Sequence, residues 1–433
     1  MTRWIRLLLA VLFVASLTQA VSSSARAQAE PLSVEFTAMD AVSSFPDGIT
    51  FSVEFATEEP IQRVELLYRS DGDESFRLIT VPVTDASARA YSYFLDLQIY
   101  YYPPGIDFLY EWRLTGENGA SAESDEQRAP WIDSRFEWSY LETEAVRVAS
   151  YSGGEEFAQT ILDSAQRAVD RIQNDLGAEL DQQVRIWAYE NNEDFAGTKA
   201  PNSEEWSVGV AYPSLKVILA VLPPGNLEEV GRVIPHEISH QVIAQAIDNS
   251  FNGLPVWLDE GIAVNYQENG NSHFPGMVQE ASDRGALFSV RALNATFPYD
   301  GNQATLGYAQ SFSIVNFIRD TWGDEGLANL VSAYRGGVSH DEAALSALGV
   351  DLDELDRLWK ESVGYQGDQV GATGVIDDGR SDSFWGGLFA SGALIWVLIA
   401  LLAIVAGIKS TRSSRRRPDH NDGFNAFHAT FRH

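Results

Sequence analysis

Hydrophobic and polar positions alternate in three short runs early in the chain: ITFSVEF (49–55), VELLYR (64–69) and FLYEWRL (108–114). A period of two marks strands that bury one face. Turn-forming clusters separate the runs, namely Pro46-Asp47-Gly48, Ser70-Asp71-Gly72-Asp73 and Pro103-Pro104-Gly105. About seven such strands over residues 30–130 predict an antiparallel β-sandwich of immunoglobulin or fibronectin type. Tyr91, Tyr93 and the run Tyr100-Tyr101-Tyr102 could form a binding patch, but are expected on a sheet face of that sandwich, where aromatic residues are common. No residue of this region suggests chemistry, which leaves it spacing, docking or substrate presentation.

A polar stretch, 123–135, reads as a connector. One or two short strands are expected in the segment that follows it. The period then changes to that of a helix: Phe157, Ile161, Ala165, Val169 and Ile172 fall on one face of 155–176, and Gly177 stands where such a helix would end. Segments 184–190, 208–212 and 217–222 read as strands, the last almost wholly apolar. Further helices are expected at 308–320 and at 353–363, the latter turning Leu355, Leu358 and Trp359 inward. The pattern over 136–363 is therefore a sheet followed by helices, an α+β domain.

Two apolar runs lie outside these domains. Residues 1–29 carry Arg3 and Arg6, an apolar core over 7–14 and the exit Ala27-Gln28-Ala29, the form of a secretory signal peptide. Residues 388–408 run without a charge for the length of a bilayer core, and Lys409, Arg412, Arg415, Arg416 and Arg417 follow. This predicts one transmembrane helix, a Gly- and Asp-rich stalk at 364–387, a basic cytoplasmic tail at 409–433 and an exported body. The expected location is the cell membrane, single-pass, with the C-terminus cytoplasmic.

Composition narrows the chemistry. The chain of 433 residues has no cysteine, which removes disulfides, thiolate catalysis and Cys-ligated metals. A net charge of −31 argues against a nucleic-acid partner, which needs a basic face.

The candidate chemistry lies in HEISHQVIAQAIDNSFNGLPVWLDEGIA, residues 236–263. Its HExxH places His236 and His240 on one helix face, one turn apart, where two imidazoles can share a Zn²⁺ ion. Glu237, to the side, can reach a water in an open metal position. Glu260 is a plausible third ligand from a second helix. Asp259 competes with it, although neighbours on a helix point about 100° apart and only one can face the metal. The Gly and Ala after Glu260 suit a helix that must pack closely. Pro235 is an anomaly, because a helix begun after an Asn226 cap would have the proline ring against the Gly231 carbonyl. His273, in a polar loop, and His340, beside the capping pair Ser339 and Glu342, are not expected at the metal.

HExxH followed by a distant WLxEGxA resembles the gluzincin metallopeptidases, and most of all the bacterial peptidase MA-like domains. The resemblance implies a zincin-like fold, Zn²⁺ as cofactor, His236, His240 and Glu260 as ligands and Glu237 as general base. A third block, GYAQSFSIVNFI, is similar to the segment that supplies the family's catalytic tyrosine, which would be Tyr308. Aminopeptidase relatives carry an acidic residue on the edge strand that binds the substrate amine. Nothing acidic occurs between Val208 and Leu222, so aminopeptidase specificity is not expected. The function this implies is a membrane-anchored zinc peptidase acting on peptide or protein outside the cytoplasm. A zinc-containing surface binding module with little turnover, and a structural surface protein with an accidental motif, are the competing readings.

Overall fold

The computed structural model describes residues 32–198, 208–249, 253–269, 271–295, 297 and 301–366. The expected signal peptide, the transmembrane segment, the tail and all but the first residues of the stalk lie outside them. Among the described residues no helix is long and apolar enough to cross a membrane.

The N-terminal alternation resolves into two antiparallel sheets. Strands β1 (Glu35–Ser44), β2 (Gly48–Ala56) and β5 (Ala90–Asp96) make the first, in the order β1-β2-β5. Strands β3 (Ile61–Ser70), β4 (Arg77–Val81), β6 (Ile106–Gly116) and β7 (Ser121–Glu123) make the second, ordered β4-β3-β6-β7, with β8 (Gln127–Trp131) also paired to β6. Their inward residues share one core, where the rings of Phe51 and Tyr110 approach to 4.8 Å. The polar stretch expected as a connector is thus partly strand. Ala129 and Trp131 alternate inward along β8, and the Trp131 indole donates to the Tyr102 carbonyl at 3.1 Å. Burial of two side chains outweighs the polar composition around them.

Next comes a mixed five-stranded sheet, ordered β12-β13-β11-β10-β9, from β9 (Ser139–Glu142), β10 (Val146–Ser150), β11 (Val184–Tyr189), β12 (Gly209–Tyr212) and β13 (Val217–Val221). β10, β11 and β13 run parallel, and β9 and β12 lie antiparallel at the two edges. The sheet is buried on both faces. Val148, Ile186 and Ile218, paired in register, belong to the core beneath the helices. Their neighbours Ala149, Trp187 and Leu219 belong to the core shared with the N-terminal strands. This double burial explains why the third run of the sequence, 217–222, shows no polar alternation. Arg185 fixes the joint, holding Asp71 at 2.6 Å and the Leu215 carbonyl at 2.7 Å.

Helices cover the other face. α1 (Gly154–Leu176) buries Phe157, Ile161, Ala165, Val169 and Ile172, and stops at Gly177, whose φ of 59° supplies the left-handed turn. The short α2 (Asn192–Ala196) precedes the edge strand. Then follow α3 (Leu227–Ile247), α4 (Val256–Tyr266), α5 (Phe274–Asp283), α6 (Gly301–Ala333, broken at Gly323), α7 (His340–Leu348) and α8 (Leu352–Ser362). α6 begins earlier than the expected position 308. Buried Ala304 and the partly buried Leu306 carry the helical packing N-terminal to Tyr308. The capping box of Ser339 and Glu342 is formed, and α8 buries Leu355 and Trp359. The molecule is a mixed α+β structure, antiparallel sheets first and helices toward the C-terminus.

Candidate active site

α3 carries the HExxH residues. The Asn226 side chain caps it by accepting from the Glu229 N–H, and the helix runs through Pro235 without a break. Proline offers no N–H to Gly231, and that carbonyl instead accepts from the Glu268 N–H at 2.9 Å. The sequence anomaly therefore has a structural use. The loop after α4 is tied to α3 by the hydrogen bond that the proline leaves open.

α4 lies beside α3 and is buried almost all round, with Trp257, Leu258, Ile262 and Ala263 fully enclosed. Gly261 permits its approach to α6, since a Cβ there would stand 2.5 Å from the Ser311 carbonyl oxygen. This packing brings Glu260 to the two histidines. Its Oε2 is 3.3 Å from His236 Nε2 and 3.8 Å from His240 Nε2. The three residues form a group able to hold a metal ion, their ligand atoms all within 4.8 Å of one another. Glu260 Oε2 is also buried without a hydrogen-bond partner. A buried carboxylate oxygen facing two imidazole nitrogens is what a cation site requires, so the residues present fit a metal.

The other imidazole nitrogens are engaged from behind. Asp259 Oδ2 lies 3.1 Å from His240 Nδ1, and the Gln267 side-chain amide lies 2.9 Å from His236 Nδ1. Asp259 and Glu260 thus divide the site, one on the far side of His240 and one among the Nε2 atoms, as their 100° offset requires. Gln267 carried no sequence signal. Its place follows from the tie between Gly231 and Glu268. Burial disfavours a charged His240, but the Asp259 carboxylate outweighs it, with Glu260 and Glu237 adding, and lifts the imidazole to about 10. Asp259 is held below the usual carboxylate range: burial opposes this and the His240 charge overcomes it.

Glu237 is buried, and burial raises its carboxyl above the ordinary range against the pull of His236 and His240. It accepts a backbone hydrogen bond from Ala211 on β12. These residues line a cavity of about 850 Å³, together with β12, Arg232, Val264, Gln267, His273, Phe274 and Tyr308. Tyr308 reaches it from the third turn of α6, its ring edge-on to Phe297 at 5.0 Å. His273 is exposed, as expected, but it stands on the cavity wall at the start of α5. His340 is outside the cavity, its Nδ1 3.2 Å from the Tyr334 hydroxyl. Arg232, one turn before His236 on the same helix face, is a lining residue that sequence reasoning passed over.

No curated protein matches the chain. Among solved structures it is similar to OgpA from Akkermansia muciniphila, at 14% identity over 23% of this chain and 28% of that one, with a TM-score of 0.20. A catalytically inactive OgpA in complex with an O-glycopeptide matches at 14% identity over 26% and 32%, with a TM-score of 0.21. The chain spans less than a third of the length of those structures. The Peptidase MA superfamily model matches residues 164–365, from within α1 to the end of α8. That match supports a hydrolase of metallopeptidase type, in a family that is typically metal-dependent. Over those residues, a little under half of the chain, the match supports a peptidase MA-like domain.

Proposed function

We propose that this protein is a zinc-dependent peptidase that cleaves internal peptide bonds, with His236, His240 and Glu260 as ligands and Glu237 as general base. The observation that carries the reading is the convergence of His236 Nε2, His240 Nε2 and the unpartnered Glu260 Oε2 beside a buried Glu237 in one cavity. Two imidazoles and a carboxylate are the donor set of a catalytic zinc site that keeps a position open. When bound, the ion would supply Lewis acidity, polarising the scissile carbonyl and easing deprotonation of water.

The chain's own residues supply the rest. Glu237 takes a proton from the attacking water and returns it to the leaving amine. Its raised affinity for a proton suits both steps. The Ala211 N–H keeps its carboxylate at the edge strand, where substrate would lie. Tyr308, across the cavity, donates to the oxygen that gains charge in the transition state. Asp259 and Gln267 fix the orientation of the two imidazoles. No acidic side chain stands on β12 or β13 to receive a free amine, which favours internal cleavage over aminopeptidase action.

The sequence adds setting to this proposal. Residues 1–29 and 388–408 support export and a single membrane anchor, and the substrate is then peptide or protein outside the cytoplasm. The two N-terminal sheets are an immunoglobulin- or fibronectin-type sandwich in this reading, supported by their shared core.

A peptide-library digest by the purified full-length chain, with and without chelator, tests the function. Chelator-sensitive cleavage of N-blocked internal peptides, with about one zinc per chain, is expected. Faster hydrolysis of unblocked aminoacyl substrates would remove the specificity. A zinc-loaded chain that cleaves nothing would leave the surface binding module.

A further inference from the structure

The loop between β5 and β6 sends one side chain out of the N-terminal sheets. Tyr100-Tyr101-Tyr102 was expected on a sheet face, yet the Tyr101 hydroxyl donates to the Thr198 carbonyl at 2.6 Å and meets the Tyr212 hydroxyl at 2.9 Å. The two rings lie 6.2 Å apart. A phenol has one proton to give. With that of Tyr101 on the Thr198 carbonyl, Tyr212 is the donor in the shared bond. Both phenols are largely enclosed, and burial pushes each upward, so the link stays neutral.

Tyr212 closes β12, and β12 is the strand that touches Glu237. Ala211, the preceding residue, donates its backbone N–H to the Glu237 carboxylate. Gly209 lies so close that a Cβ would stand 2.5 Å from Glu237 Oε1. Tyr212 itself is near enough for the Glu237 charge to weigh on its phenol. β12 is a four-residue strand at the edge of its sheet, where among the described residues it pairs with β13. A short edge strand of this kind frays easily unless something outside the ladder holds it.

We propose that Tyr101 is a positioning residue for the cleft, holding β12 against Glu237 through Tyr212. The N-terminal sheets are then part of the active-site wall and not a spacer. The proposal rests on the reading of Glu237 as the base, but the placement of β12 can be measured without it. A different role for Tyr101, filling the joint between sheets with its ring, makes the opposite prediction for removal of the hydroxyl alone.

The test uses the full-length chain with Tyr101→Phe, Tyr212→Phe and the double substitution, which keep the rings and so the packing. Hydrogen–deuterium exchange is followed over Gly209–Tyr212 and over Val217–Val221, and kinetics on an N-blocked peptide from the library digest. Expected for each single variant is faster exchange in β12 with β13 unchanged. The expected fall in kcat is about three- to tenfold, the scale of one neutral hydrogen bond, with KM within about twofold. The double variant should lose no more than the worse single one, since both changes cut the same link. Unchanged β12 exchange in Tyr101→Phe would overturn the proposal, and so would single losses in kcat that multiply in the double variant. If the parent chain cleaves no peptide, the proposed function has failed, and the exchange data alone decide the role of Tyr101.

Discussion

On β11, Ile186 and Ala188 face the helices while Trp187 and Tyr189 face the N-terminal strands, so one strand serves two cores. The cores differ in what they enclose. The helical side holds a buried acid, two imidazoles and a carboxylate oxygen without a hydrogen-bond partner, groups that cost free energy to bury. The strand side is dominated by apolar and aromatic contact, such as Trp138 edge-on to Trp187 at 4.7 Å. Of its buried acids, Asp133 is held by Arg135 at 2.6 Å and Glu65 lies 3.7 Å from Arg63. The strand side also buries unpartnered groups, the indole N–H of Trp112 and Trp187 and the Ser70 hydroxyl, but its buried carboxylates face arginines, whereas Glu260 Oε2 on the helical side has no hydrogen-bond partner.

If that division is right, substitutions on the two faces should separate activity from stability. The largest effect is expected from Glu237→Gln, which should lower kcat by about 10³-fold or more while zinc content and Tm stay near the parent's; retained turnover would break the comparison at its centre. On the opposite face, Trp187→Ala should cost about 3–5 kcal/mol of stability in urea unfolding. Per folded molecule it should leave zinc content unchanged. Tyr308→Phe should lower kcat by about 10²–10³-fold with KM little changed. A variant within threefold of the parent would return Tyr308 to the role of a packing aromatic. Asp259→Asn removes the charge behind His240 without removing a ligand, and should weaken zinc affinity by about 10–100-fold, measured by competition with a chelator.

The parts of this site that lie close in sequence were legible there. The i, i+4 spacing of His236 and His240 and the acid pair after WL state their own geometry, and the 100° offset said that only one of Asp259 and Glu260 could face the histidines' shared side, although the contact of Asp259 with His240 Nδ1 was not foreseen. The N-terminal strands were legible for the same reason, since a period of two needs no knowledge of partners. Gln267, Arg232 and Tyr101 went unread. Gln267 contacts His236 because of a backbone tie, Arg232 lines a cavity that needs β12 opposite it, and Tyr101 acts on a strand more than a hundred residues away. Gln267 and Tyr101 sit in no pattern that periodicity or motif spacing would mark, whereas Arg232, four residues before His236, repeats the motif's own spacing and could have been read from it. The start of α6 was placed at Tyr308, seven residues late, because the packing of Ala304 and Leu306 depends on partners distant in sequence.

Pro235 bears on how far the HExxH helix can be transplanted. An α-helix normally satisfies its own interior carbonyls, which is why helical motifs often survive grafting into unrelated scaffolds. Here the Gly231 carbonyl depends on the Glu268 N–H, in the loop that also presents Gln267 to His236. A graft of α3 alone would carry both histidines and the glutamate, but leave one carbonyl to solvent and one imidazole without its neighbour. The smallest unit that can be moved intact runs from Asn226 through Asn269, and HExxH is only its visible portion.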